Sequence, residues 1–220
     1  MRFEDTSVYN IYNAILGARN PKNSWNKSDS VFKGYNGKIE NTEIGPNDLQ
    51  LAQTLIRAGS EHRKFMRQIF VSVNITAPLY WWKEFDTYKV ATVSNSCSTM
   101  HKLADTPITL NCFEMDDFTP LIDNFKIDLS WQTVVSYLEQ LRQKYNETKD
   151  KRYWKELIRL LPESWLQKRT VTMNYENLLG ICSKGQRRFH KLTEWSVDFI
   201  QWARNLPYAQ DLLFIDELSK

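Results

Sequence analysis

Residues Gly59–Lys102 read GSEHRKFMRQIFVSVNITAPLYWWKEFDTYKVATVSNSCSTMHK. Within them Ile69, Val71, Val73 and Ile75 alternate with Phe70, Ser72 and Asn74, the period of a strand with one buried face. Ala77-Pro78 ends that strand, because proline has no amide hydrogen to give to a ladder, and Pro78 suits the first turn of a following helix. An aromatic turn of helix comes next, then a second strand, then a corner rich in hydroxyls and amides. Thr92, Ser94, Asn95, Ser96, Ser98 and Thr99 gather there beside His101 and Lys102. Such a corner offers hydrogen-bond donors to a small anionic ligand.

Outward from this stretch, residues 7–18 predict a short strand or helix, and residues 19–45, rich in Asn, Lys, Ser and Gly, a long loop of the kind that is functional or mobile. Pro46-Asn47-Asp48 opens a helix through Ala58, with Leu49, Leu51, Ala52, Leu55 and Ile56 as its buried stripe. Residues 103–129 are irregular, broken by Pro107 and Pro120. Leu129–Tyr145 is amphipathic, with Val134, Val135, Tyr137, Leu138 and Leu141 on the apolar face, and Lys151–Leu161 is a second helix stopped by Pro162. Gln167–Asn174 alternates as a strand, and Tyr175–Asn205 reads as a long helix interrupted near Gly180–Gly185. Strands and helices mix without a βαβ repeat, which predicts an α+β protein with residues 1–220 in a single domain.

The composition narrows the class. With 220 residues, 42% of them hydrophobic and 13% aromatic, the chain has enough apolar surface for a substantial core, which excludes intrinsic disorder. Eight tryptophans and ten tyrosines exceed the needs of a small core and predict a subunit interface or pocket. The net charge of +3 is mild and scattered, which suits an anionic small molecule and gives no reason to expect nucleic-acid binding. No apolar run approaches the roughly 18 residues of a membrane span. The start, MRFEDTSVYN, has no hydrophobic signal core, so the expected compartment is the cytoplasm. Cys97, Cys112 and Cys182 are odd in number and far apart, which disfavours disulfide scaffolds and zinc ribbons.

The central stretch resembles the flavin-dependent thymidylate synthases. It aligns with their signature segment without a gap from His62 to Val93. His62 falls on a family histidine, Ala77-Pro78 on an Ala-Pro pair, Lys83 on an arginine, and Ala91 and Thr92 on an Ala-Ser pair. Thr87-Tyr88-Lys89 occupies the place of an Arg-His-Arg triplet. One inserted residue, Ser94, brings Asn95 onto the motif asparagine and Ser98 onto its serine. The departures are specific: Arg67 replaces a glutamate, Glu84 a glutamine, Ser96 a glutamate and Met100 the closing arginine. A second segment, residues 171–208, resembles the family's closing strand and helix. Asn174 matches its asparagine, Leu178 its leucine, and His190 and Glu194 a histidine and a glutamate. Glu176 stands for an arginine, and Gln186 stands where the family has a phosphate-holding arginine, with Arg187 and Arg188 directly after it.

The resemblance implies mixed helices around a mainly antiparallel sheet, and methylation of dUMP to dTMP with methylenetetrahydrofolate, FAD relaying reducing equivalents from NADPH. It implies a homo-oligomer, a tetramer with sites shared between subunits. It places His62, Lys89, Asn174 and His190 on the flavin, and Asn95, Ser98, Gln186 and Arg187 on the pyrimidine nucleoside monophosphate; no residue is assigned a catalytic role. A planar guanidinium makes bidentate contacts that threonine and methionine cannot replace. Two rivals therefore stand: a nucleotide-binding protein of this fold without the reaction, and a related flavoenzyme acting on another pyrimidine nucleotide.

Plainer readings accompany each residue. His62 is also a helix-terminal histidine between Glu61 and Arg63. Arg187, His190, Lys191 and Glu194 at helical spacing are also a solvated, ion-paired face. Asn95 and Ser98 are also helix N-caps. Cys97 and Cys182 read as structural thiols, and His190 with Glu194 lacks the third ligand that a metal needs.

Overall fold

The computed structural model describes residues 1–35, 38–115 and 131–218. In chain order it has β1 (Arg2–Tyr9), α1 (Ile11–Gly17), β2 (Val31–Tyr35), β3 (Lys38–Glu43), α2 (Pro46–Arg57), β4 (Phe70–Pro78) and α3 (Leu79–Phe85). Then come β5 (Val93–Ser96), α4 (Thr99–Lys102), α5 (Trp131–Thr148), α6 (Lys151–Arg159), β6 (Leu166–Asn174), α7 (Tyr175–Cys182) and α8 (Lys184–Arg187). A π-helical turn (Glu194–Phe199), α9 (Ile200–Arg204) and α10 (Ala209–Leu212) close the chain with a 3₁₀ turn, Ile215–Glu217. The protein is α+β, with its helices around a mainly antiparallel sheet ordered β1-β4-β6-β5.

The alternation that predicts β4 is the alternation observed. Ile69, Val71, Val73 and Ile75 are fully buried, while Phe70 is exposed. Along β4 and β6 the partners run in opposite senses: Tyr175 N donates to Ile69 O, Thr172 Oγ1 to Ser72 Oγ and Thr170 Oγ1 to Asn74 Oδ1. Asn74 Nδ2 in turn donates to Asp5 Oδ2 on β1.

The chain divides into two compact units. The first holds Met1–Arg2, Ile75–Thr87 and Asn95–Arg169, the second Phe3–Asn74, Tyr88–Ser94 and Thr170–Lys220. In the first, α5 and α6 pack over a core of Leu103, Ile108, Phe113, Val135, Leu138, Leu141 and Leu157. Trp81 and Trp82 are buried there as well, and Trp82 Nε1 donates to the carbonyls of Ala77 and Gln167. In the second, α7 packs on α9 and on the 3₁₀ turn Lys64–Gln68. Tyr175, Leu178, Phe199, Leu213 and Phe214 are buried in this unit.

Four expectations are corrected. Residues 19–45 are not a plain loop: β2 pairs antiparallel with β3, and Asp48 on α2 fastens the segment by accepting from Arg19 and from Ser28 and Ser30. Tyr137 lies on the solvent side of α5, half exposed, because Val135, Leu138 and Leu141 already fill the buried face. The stripe of α2 narrows to Asp48, Ala52 and Ile56, with Leu49, Leu51 and Leu55 half-buried. The helix after Tyr175 does not continue to Asn205, since residues 188–192 carry no regular helix between α8 and the π-helical turn. Residues 116–130, including Pro120 and the expected start of the helix at Leu129, lie outside the described residues.

Candidate functional site

The second unit brings together part of the expected site. Tyr88, in the central position of the Thr87-Tyr88-Lys89 triplet, lies 3.0 Å by its hydroxyl from His190 Nε2. Gln186 Nε2 donates to the same hydroxyl at 2.8 Å and lies 3.3 Å from His190 Nε2. Tyr88, Gln186 and His190 thus share one hydrogen-bonded cluster, whose donor and acceptor roles follow the tautomer of the imidazole. The imidazole lies flat on Trp195, with centroids 4.4 Å apart and an interplanar angle of 12°. Asn177 Nδ2 donates to Val90 O at 2.5 Å, so the segment 88–94 is tied to both α7 and α8.

Asn174 is buried at the N-cap of α7. Its side chain accepts from Asn177 N while Asn177 Oδ1 accepts from Asn174 N, a reciprocal cap that satisfies two otherwise orphaned donors. His62 is exposed in the turn after α2, where its amide donates to Gly59 O. Lys89 is exposed. Of the four residues placed on a flavin, two therefore present solvent-facing groups, and two are engaged with protein partners. FAD carries two phosphates, and this set offers it one lysine and no arginine.

Asn95 and Ser98 belong to the first unit. Asn95 is exposed on β5, and Ser98 O accepts from Lys102 N, the first bond of α4. The corner is fastened to β6: Cys97 N donates to Lys168 O, and Gln167 Nε2 donates to Cys97 O. Lys102 pairs with Asp105 at 2.8 Å, so that cation is compensated locally.

Arg187 has a different setting from the one its sequence position suggests. It does not share a helical face with His190, Lys191 and Glu194, because regular helix stops at Arg187 and Glu194 is buried in the next turn. Its Nη1 donates to Glu217 Oε1 and its Nη2 to Asp216 Oδ1 at 3.3 Å. Arg204 joins from the other side, its Nη2 2.8 Å from Glu217 Oε1 and its Nη1 3.0 Å from Oε2. Both guanidiniums sit over the ring of Phe214, Arg204 at 4.0 Å and Arg187 at 5.5 Å. The hydrogen bonds from Arg204, with Arg187 adding to them against the effect of burial, hold the Glu217 carboxyl at about 2. A cleft of about 610 Å³ opens here, lined by Lys184, Arg187, Arg188, Asp216 and Glu217. Nothing in the sequence around Arg187 points to Glu217, thirty residues on.

Burial pushes the Cys182 thiol up to about 12, which fits a structural thiol. Among the described residues no group of three metal-ligating side chains occurs, and no helix is long and apolar enough to cross a membrane.

No family model matches this chain, and no curated protein matches it by sequence. Solved structures do. The chain is similar to thymidylate synthase X from Helicobacter pylori with FAD and dUMP, at 18% identity and a TM-score of 0.64 over 98% of both chains. A second structure of that flavin-dependent enzyme, complexed with FAD and dUMP, matches at 17% identity and a TM-score of 0.64 over the whole of both chains. The chain therefore has the thymidylate synthase X fold.

Proposed function

We propose that this protein binds a pyrimidine nucleoside or nucleotide of the dUMP type in a thymidylate synthase X fold. The end-to-end likeness to a fold solved with dUMP carries this reading. Asn95 and Ser98, on a corner fastened to β6, supply amide and hydroxyl groups suited to base and sugar oxygens. Gln186, aligned with the family's phosphate arginine, donates to Tyr88 and acts as a positioning residue for the segment 88–94.

The second reading is the full reaction, methylation of dUMP to dTMP with methylenetetrahydrofolate, FAD and NADPH in a homotetramer. It is favoured by the FAD named with both structural neighbours and by the exposed Lys89 and His62. A bound flavin supplies electron transfer, and the protein supplies binding and orientation.

Equilibrium dialysis of the full chain against dUMP, with dAMP as the purine control, tests the first reading. Selective retention of dUMP is expected, and equal or no retention of the two overturns it. The visible absorbance of the purified protein after incubation with FAD and desalting tests the second. A retained flavin spectrum supports the methylation reading, and a colourless protein that still retains dUMP leaves binding without that reaction.

A further inference from the structure

A cavity of about 310 Å³ opens in the second unit, where the end of α2, the head of the 3₁₀ turn Lys64–Gln68, α7 and the closing turn Ile215–Glu217 meet. Every residue that lines it belongs to this unit. Its volume lies at the small end of the ~300–1,000 Å³ usual for small-molecule sites. The floor is aliphatic, formed by the buried side chains of Ile56, Leu179 and Ile215. Gly180 of α7 completes it, and a Cβ at that position would meet no atom within 4 Å. Glycine inside a helix costs stability relative to alanine, and neither a positive φ nor a close neighbour requires one here. What Gly180 keeps open is the cavity.

The rim is cationic. Glu176 accepts from Arg63 Nε with both carboxylate oxygens, at 2.9 and 3.0 Å. That contact uses one N–H of the guanidinium and leaves Nη1 and Nη2 without a hydrogen-bond partner among the described residues. Arg57, exposed in the last turn of α2, has no ion pair among the described residues. Asp216 brings the opposite sign, but its Oδ1 accepts from Arg187 and its Oδ2 from the amide of Lys184. Pairing Arg63 with Glu176 and Asp216 with Arg187 leaves the single charge of Arg57 uncompensated. No aromatic ring lines the cavity, so it offers no ring face on which a nucleobase could stack. One spare positive charge suits a monoanion better than a dianionic phosphate.

We propose that this cavity is a binding site for a small aliphatic carboxylate. The chain lies on Ile56, Leu179 and Ile215 over Gly180, where it leaves water. The carboxylate is held by the terminal nitrogens of Arg63, with Arg57 beside it, since a planar guanidinium meets a carboxylate in two-point contact. None of the residues assigned above to a pyrimidine nucleotide or to a flavin lines this cavity.

Calorimetric titration of the full chain with octanoate tests it, with octanol as the uncharged chain, acetate as the bare carboxylate and inorganic phosphate as the competing anion. The natural protein should bind octanoate in one saturable step with a Kd of about 1 mM or tighter, and each of the others at least about tenfold more weakly. Gly180→Leu fills the cavity from a helical position that has room for a side chain. It should abolish octanoate binding while the denaturation midpoint stays unchanged or rises. Arg57→Gln, at an exposed position without an ion-pair partner, should weaken octanoate about tenfold and leave octanol unchanged. No saturable binding of octanoate up to about 10 mM overturns the proposal, as does equal affinity for octanoate and octanol. So do phosphate bound more tightly than octanoate, octanoate binding that survives Gly180→Leu, and octanoate affinity unchanged in Arg57→Gln. Should the denaturation midpoint of Gly180→Leu fall, the natural protein and Arg57→Gln decide.

Discussion

Two arginine–carboxylate clusters in the second unit look alike in sequence and behave differently in the structure. Arg19 and Asp48 are 6% and 1% exposed in their side chains, with Nε 2.5 Å from Oδ1. The hydroxyls of Ser28 and Ser30 and the amide of Ser30 fill the other carboxylate oxygen. Burial opposes the charge of Asp48, yet the hydrogen bonds from Ser28, Ser30 and Arg19 outweigh it and hold the carboxyl below its ordinary range. The Arg187–Asp216–Glu217–Arg204 cluster is wetter, its side chains 19% to 38% exposed, and Arg187 Nε is buried without a partner. The first cluster is closed and fixes the segment before β2 to α2. The second is open to a cleft and to solvent.

This contrast sets an order of effects. Asp48→Ala leaves Arg19 buried and unpaired, so it should destabilise the protein by about 3–5 kcal/mol in chemical denaturation; a loss under about 1 kcal/mol would remove the distinction between the clusters. Acid should act next, on Glu217 and also on Glu139 of the first unit, which the hydrogen bond from Arg142 above all holds at about 2. Both folded values lie below the ordinary 4.5, so their contribution is fully present above that value and is lost as pH falls from 4.5 towards about 2. Stability measured across that window should decline for the natural protein and decline less steeply for Glu217→Gln. Tyr88→Phe removes the hydroxyl shared by Gln186 and His190 and should cost about 1 kcal/mol, read by the same denaturation. At neutral pH Glu217→Gln should lose the same contribution that acid removes from Glu217, and clearly less than Asp48→Ala loses, since its contacts are partly solvated. A loss as large as that of Asp48→Ala would make the open cluster a structural one.

The sequence discloses elements more readily than partners. Residues 69–75 were legible because one face of β4 is buried and the other is not, so the alternation survives in the residue types. The corner at Asn95–Ser98 was legible as a concentration of polar side chains after a strand. The hairpin in residues 19–45 was not, because its strands carry Lys, Asn, Glu and Gly with little alternation, and its anchor, Arg19 to Asp48, spans twenty-nine residues. The setting of Arg187 was hidden for the same reason. Spacing places it on a helix beside His190 and Lys191, but the helix ends at Arg187 and the charges that decide its role come from Asp216 and Glu217.

Whether Arg187 belongs to the ligand or to the protein is read most directly from a crystal structure of the full chain with dUMP bound. The expected result is dUMP held at its base and sugar, with Arg187 still donating to Asp216 and Glu217 and Arg204 still bidentate on Glu217. A guanidinium of Arg187 turned onto the phosphate, with Glu217 displaced, would contradict it.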